Sequence, residues 1–312
     1  MFSIVMPTYN RCALLARAMQ AILDMRGADH CEIVVVDDGS TDETPAVLAD
    51  LAARHPNVKP VRRENGGTAA ARNTAIKHAT RDYLLCMDDD VIPDPGLLEA
   101  HGERLLSGWD ISQGSVVWHE SVADDPLARF IESRGMQFRL DNYADGDVVS
   151  YKNVYTANVA LSAADARAVG CLDSAFGWKR YGFEDTAFAW RLARGGKRAV
   201  YTAAARARHL HPWTGESLLR REYSVGFGLA LAGKQYPEMA ADLGYDKVKR
   251  DAGWLLPPLA IACAVGLPKL FGADFRRRVA LKQSFLRGFR DARKELEPSG
   301  KTACVKIPAP RS

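Results

Sequence analysis

From Phe2 to Pro95 short apolar runs alternate with stretches of helical period. Ile4-Val5-Met6 starts a strand that Pro7-Thr8-Tyr9-Asn10 breaks, before a helix through Leu14, Leu15, Ala18, Met19 and Ile22. Glu32 to Val36 is a second strand, continuous enough to be buried on both faces, ending at Asp37-Asp38-Gly39-Ser40-Thr41-Asp42. Thr41 or Asp42 is placed to cap the next helix, which carries Val47, Leu48 and Leu51. A short strand from Val58 to Arg62 leads to Asn65-Gly66-Gly67-Thr68, then to a helix from Ala69 through Arg72 and Ile76 to Ala79. The run Tyr83 to Met87 closes the series and stops at three carboxylates, Asp88-Asp89-Asp90. Such alternation predicts an α/β fold: a parallel sheet with right-handed crossovers and a ligand crevice at the strands' C-terminal ends.

The loops at that edge carry the candidate chemistry. On an extended backbone Asp88 and Asp90 alternate and point to one side, where hard oxygen donors suit Mg²⁺ or Mn²⁺ bridging phosphate oxygens. The alternative is a solvated acidic turn. Asp38 can accept a hydrogen bond from a base imide, Gly66-Gly67 admit a phosphate close to the backbone, and Arg72 can pair with a diphosphate. Ordinary turn, cap and helix-entry duty is the competing reading of these loops. Neither the G-x-G-x-x-G nor the G-x-x-x-x-G-K-S/T pattern is present, which counts against dinucleotide binding and P-loop hydrolysis.

Four of these stretches resemble the motifs of family 2 glycosyltransferases in order and spacing: Met6-Pro7-Thr8-Tyr9-Asn10-Arg11, Val36 to Asp42, Gly66-Gly67-x-x-x-x-Arg72-Asn73, and Met87-Asp88-Asp89-Asp90-x-x-Pro93-Asp94. The resemblance implies a GT-A fold with a mostly parallel central sheet and inversion at the anomeric carbon. It implies a nucleotide-sugar donor, UDP-linked in the first instance with GDP- or dTDP-sugars as the other options. It also implies a divalent ion, Mn²⁺ or Mg²⁺, on Asp88 and Asp90. Donor contacts are expected from Pro7, Thr8, Tyr9, Arg11, Asp38, Gly67, Arg72 and Asp89.

The middle of the chain extends the likeness. Asn153 to Leu161 reads as a strand containing Thr156-Ala157-Asn158. Gly177-Trp178-x-x-Tyr181-Gly182-Phe183-Glu184-Asp185-Thr186 then enters a helix through Phe188, Trp190, Arg191 and Leu192, and resembles the family's Glu-Asp motif. An acceptor hydroxyl must lose its proton as it attacks, so Asp185 is expected as the base and Glu184 as an acceptor-orienting group. The bland alternative is that both only complement the helix dipole. Arg198 to Tyr201 is another strand, followed by Arg206-Ala207-Arg208-His209-Leu210-His211. A histidine here resembles the family's third metal or diphosphate contact, His209 aligning better than His211. Arg206 and Arg208 would add positive charge near the leaving diphosphate.

With 312 residues and 47% apolar content, the chain holds one large α/β domain with additions. The expected division is a catalytic domain over 1–215, with a nucleotide-binding half to 110, a helical region over 216–297, and a disordered tail from 298. Six cysteines without a C-x-x-C pair read as reduced thiols, and no secretory leader precedes Phe2, so a cytoplasmic chain is expected. From Asp246 onwards there are 15 Lys and Arg against 6 Asp and Glu, or +9, leaving −5 upstream. Trp254 to Leu267 is apolar but too short and proline-interrupted to span a bilayer. Phe275, Val279, Leu286, Phe289 and Leu296 share one face of a basic helix into which Arg278, Lys282 and Arg293 intrude. Together these suggest peripheral attachment at the inner face of a membrane, with a packed helical subdomain as the alternative. The expected function is transfer of a sugar to a glycan or lipid-linked acceptor hydroxyl. A nucleotidyltransferase, or an inactive sugar-binding or membrane-adaptor protein, is the alternative, and nothing calls for a nucleic-acid partner.

Overall fold

In the computed structural model, residues 1–176, 182–210, 212–255 and 272–296 are described. The chain divides into two units, 1–221 and 222–312. Among the described residues the first unit is built on one sheet of strands β1 (Phe2–Thr8), β2 (Glu32–Asp37), β3 (Val58–Arg62), β4 (Tyr83–Met87), β5 (Val91–Pro93), β6 (Ile111–Trp118), β7 (Val148–Val149), β8 (Asn158–Ser162) and β9 (Ala199–His209). Its order is β3-β2-β1-β4-β8-β6-β9-β5, with β7 also on β9. The first four strands pair in parallel, as their βα periodicity predicts. β8 then runs antiparallel between β4 and β6, and β6 and β9 return to the original direction.

The apolar runs are continuous because both faces of the sheet are covered. Alternate side chains serve two cores: Ile4, Met6, Ile33, Val35, Leu85 and Met87 face one, while Val5, Val34, Val36, Leu84 and Cys86 face the other. Helices 12–23, 44–54 and 97–106 fill the first core; helices 68–78, 163–168 and 184–194 fill the second. The four described cysteines, Cys12, Cys31, Cys86 and Cys171, are free thiols.

Three boundaries differ from the sequence expectation. Pro7 lies inside β1. The Thr8 carbonyl accepts the Asp38 N–H on the β2 side, so Pro7 faces the β4 side, where pairing has already ended at Val5 and Cys86. The strand expected from Asn153 begins only at Asn158, after a 3₁₀ turn at Tyr151–Asn153. β9 runs on through Arg206 to His209 because a bulge interrupts its register with β6 between Gly114 and Ser115. Asn158 spans that bulge, donating Nδ2 to the carbonyls of Ser115 (3.1 Å) and Ala205 (2.8 Å). A Cβ on Gly114 would clash with that same Nδ2.

In the second unit, helices 215–235 and 273–296 meet at glycines: a Cβ on Gly226 would touch the Phe285 carbonyl, and one on Gly288 that of Tyr223. The stripe buried on the last helix is Leu281, Leu286, Gly288, Phe289 and Ala292, whereas Phe275 is 43% exposed. The expected apolar face was therefore displaced, because close helix approach selects small residues that a hydrophobicity pattern passes over. Lys282, read as an intrusion, is paired with Asp251 at 3.0 Å. No helix among the described residues is long and apolar enough to cross a membrane. Most of the 254–267 run and the tail from 298 lie outside the described residues.

Candidate active site

The carboxylates sit at the C-terminal edge of β4, but Asp88 to Asp90 form a turn into β5, closed by the Val91 N–H on the Asp88 carbonyl. The expected alternation along an extended backbone therefore does not occur, and Asp88 parts from Asp89 and Asp90, which share one partner. Asp88 pairs with Arg72. Asp89 is buried, accepting from Thr8 Oγ1 at 2.7 Å and Arg11 Nη1 at 2.9 Å. Asp90 takes the same Arg11 nitrogen at 2.7 Å and turns its other oxygen, Oδ1, to His209 Nε2 at 3.6 Å.

That contact bears on the metal. Asp90 Oδ1 is buried and has no hydrogen-bond partner, an unfavourable state for a carboxylate oxygen unless a cation completes it. An oxygen and an imidazole nitrogen at this separation fit two ligands of one divalent ion. Among the described residues no three His, Cys, Asp or Glu side chains converge, so Asp88 does not join Asp90 and His209 as expected. Two protein ligands still suit Mg²⁺ or Mn²⁺, which is commonly held by one or two carboxylates plus substrate phosphates. His211 lies outside the described residues. Arg206 and Arg208 alternate with His209 along β9 and so point to the opposite face, where Arg208 pairs with Asp94 at 2.8 Å; the expected charge near the diphosphate is not supplied there.

The loops after β1 and β2 are stitched together. Asn10, in the left-handed region at φ 51°, donates its N–H to Ser40 Oγ and accepts the Thr41 N–H at its side chain. Asp42 accepts from both the Cys12 and Thr44 N–H groups, capping two helices. Burial would raise its carboxyl, but these hydrogen bonds bring it down to about 2. Asp38, expected to read a base, is instead committed to the backbone N–H groups of Gly66 and Gly67. Gly67 stands at φ 87°, which admits glycine at little strain. Tyr9 is 43% exposed, open to a ligand at this edge. Arg72, by contrast, is enclosed at 1% exposure and does not face the crevice as a diphosphate ligand would.

Glu184 and Asp185 open helix 184–194 after two residues of positive φ, Gly182 at 135° and Phe183 at 71°. A phenylalanine held there is a strained entry of the kind that aims side chains at a site. The Gly182 N–H donates to Glu184 Oε2 at 2.9 Å and the Thr186 N–H to Asp185 Oδ1 at 2.7 Å. Burial raises both carboxyls, Glu184 to about 7, with repulsion from Asp185 adding to it for Glu184 and from Asp88 for Asp185, and Arg72 opposing. Asp89 is likewise pushed up to about 7, burial leading and Arg11 opposing. Residues 177–181 of the Glu-Asp motif lie outside the described residues.

Sequence reasoning missed the aromatic surround of His209: Trp118 at 5.3 Å and Phe138 at 5.5 Å between ring centroids, with Tyr155 behind Phe138. It also missed His101, buried between Ser112 Oγ (2.8 Å) and Asn158 Oδ1 (3.0 Å), its imidazole lowered to about 4 by burial. A histidine in an apolar helix and an asparagine opening an apolar strand were the available signals.

Residues 3–152 match the family model "Glycosyl transferase family 2". Validoxylamine A glucosyltransferase of Streptomyces hygroscopicus is 31% identical over 219 residues, 62% of this chain and 51% of that one. Pre-mycofactocin glycosyltransferase of Mycobacterium tuberculosis is 26% identical over 249 residues, 77% and 49%. Chondroitin synthase of Escherichia coli is 25% identical over 240 residues, 67% and 34%. The chain thus spans about half or less of these relatives. Among solved structures, a mannosyltransferase from Pyrobaculum calidifontis in complex with GDP-Man and Mn²⁺ superposes with a TM-score of 0.60 at 19% identity, over 95% of this chain and 88% of that one. This likeness shows a shared fold, the GT-A arrangement.

Proposed function

Through residues 3–152 this chain belongs to family 2 of the glycosyltransferases, and from that premise we propose that it moves a sugar, with inversion, from a nucleoside diphosphate to an acceptor hydroxyl. The observation that carries the reading is the buried Asp90 Oδ1 facing His209 Nε2 at the C-terminal edge of the sheet. Asp90 and His209 would hold Mn²⁺ or Mg²⁺, while Asp88 stays paired with Arg72. When bound, the ion supplies Lewis-acid stabilisation of charge on the leaving diphosphate. Tyr9 and the half-buried Arg11 offer donor contacts, and Gly67, without a side chain, would admit a phosphate close to the backbone. Asp185 accepts the acceptor proton, with Glu184 orienting the acceptor.

Donor identity is a narrower matter. UDP-sugars are the first to test, beside GDP-sugars because the Pyrobaculum neighbour holds GDP-Man. A glycan or lipid-linked acceptor at the inner membrane face is supported by the basic C-terminal region and by Trp254, Leu255 and Phe275, which are 82%, 43% and 43% exposed. The deciding experiment incubates the full chain with UDP-, GDP- and dTDP-sugars and Mn²⁺ and follows nucleoside diphosphate release. Release with one donor, abolished by EDTA, is expected; no release with any of them overturns the proposal.

A further inference from the structure

Arg72 is among the largest fully buried side chains of the protein, in a helix whose other buried residues are Ala69, Ala71, Ala75 and Ile76. A guanidinium withdrawn from water persists where carboxylates balance it. Asp88 does so by direct pairing, and Glu184 and Asp185 lie within its field. The next residue, Asn73, donates Nδ2 to the Leu172 carbonyl at 2.7 Å and accepts the Leu172 N–H at Oδ1 at 2.9 Å. Arg191, on the helix that Glu184 opens, donates to the Val169 and Cys171 carbonyls of the same segment. Adjacent residues of one helix thus grip the donor-side turn and the segment that precedes the Glu184 helix.

We infer that Arg72 and Asn73 are positioning residues: Arg72 fixes Asp88 and supplies the countercharge for Glu184 and Asp185, and Asn73 fixes the 169–172 segment to the same helix. The inference rests on the glycosyl-transfer reading only for the role it gives those carboxylates. Among the described side chains, those whose charge acts on the carboxylate pair include Asp185 on Glu184, Asp88 on Asp185, and Arg72 on both. Of these, Arg72 favours the ionised form, so its loss pushes the pair to titrate at higher pH. The base is then lost on acidification sooner than in the natural protein.

The test is a carboxyl-carbon NMR titration of the full chain beside its Arg72→Met and Arg72→Lys variants, with the acid limb of turnover measured in parallel. In Arg72→Met the Glu184 or Asp185 midpoint and the acid limb both rise by about one pH unit or more, and Arg72→Lys restores most of the shift. Asn73→Ala speeds amide exchange at Leu172 and raises acceptor KM while donor affinity holds. A titration unmoved in folded Arg72→Met, or a lysine that restores nothing, overturns the role of Arg72; unchanged exchange at Leu172 overturns that of Asn73. Should Arg72→Met fail to fold, Arg72→Gln, which keeps a donor for Asp88 without the charge, replaces it. A chain that releases no nucleoside diphosphate at any pH overturns the proposed function alone, because the titration and the exchange still decide this inference.

Discussion

On the proposed reading, Asp185 and Asp90 divide the work of the site. Asp185→Asn leaves the Thr186 N–H an oxygen to bond and removes the basic group, so donor affinity should stay near normal while turnover falls about 100-fold or more. Near-normal turnover would transfer the base role to Glu184. Asp90→Ala removes the oxygen that faces His209, so calorimetry should find no Mn²⁺-dependent donor binding; affinity unchanged from the natural protein would end the assignment. The positions of these residues were legible in the sequence because each closes an apolar strand or opens a helix. The pairings that hold the neighbouring site residues were not. Arg11 meets Asp89 across 78 residues, Asp38 meets Gly66 across 28, and Arg72 meets Asp88 across 16, and such pairings follow from topology.

At the scale of elements, Glu32 ties several strands at the edge opposite the site. Its carboxylate accepts from Ser3 on β1, Lys59 on β3 and Thr80 just before β4. Burial alone would raise the carboxyl, but Lys59, Ser3 and Thr80 bring it to about 2, below the ordinary 4.5. A carboxyl depressed by folding stabilises above its unfolded value and loses that contribution as pH falls through the folded one. Between pH 4.5 and 2 Glu32 should therefore contribute a loss on the order of 3 kcal/mol in denaturant titrations, and Glu32→Gln should lose correspondingly less over that range than the natural protein. The βα units around it were readable because local periodicity dictates them. β8 and β9 were readable as strands but their bounds were not, since the start of one and the length of the other depend on Asn158 reaching across the bulge to Ala205.

For the whole molecule, charge is segregated along the chain: +9 from Asp246 onwards against −5 before it. Each Lys or Arg near an anionic leaflet contributes about 1 kcal/mol of attraction, screened within a Debye length. The full chain should therefore float with anionic liposomes at low salt and dissociate as salt rises. Trp254→Ser, which removes the most exposed aromatic group among the described residues, should weaken that binding. Failure to float at low salt, or a Trp254→Ser chain that floats as well as the natural one, would make the basic region a purely structural one.

The antiparallel strand at the middle of the sheet has a bearing on how the protein is made. β4 waits for β8, whose pairing runs from Tyr83 with Ser162 to Met87 with Asn158. At the usual pace of synthesis, about 5–20 residues per second, the ribosome needs several seconds to deliver that partner. Meanwhile Leu84, Leu85 and Cys86 offer a bare apolar edge, the kind that pairs with a neighbouring chain. Expression of this protein should accordingly be limited by aggregation during translation, and slower elongation before Asn158 should lower the soluble yield.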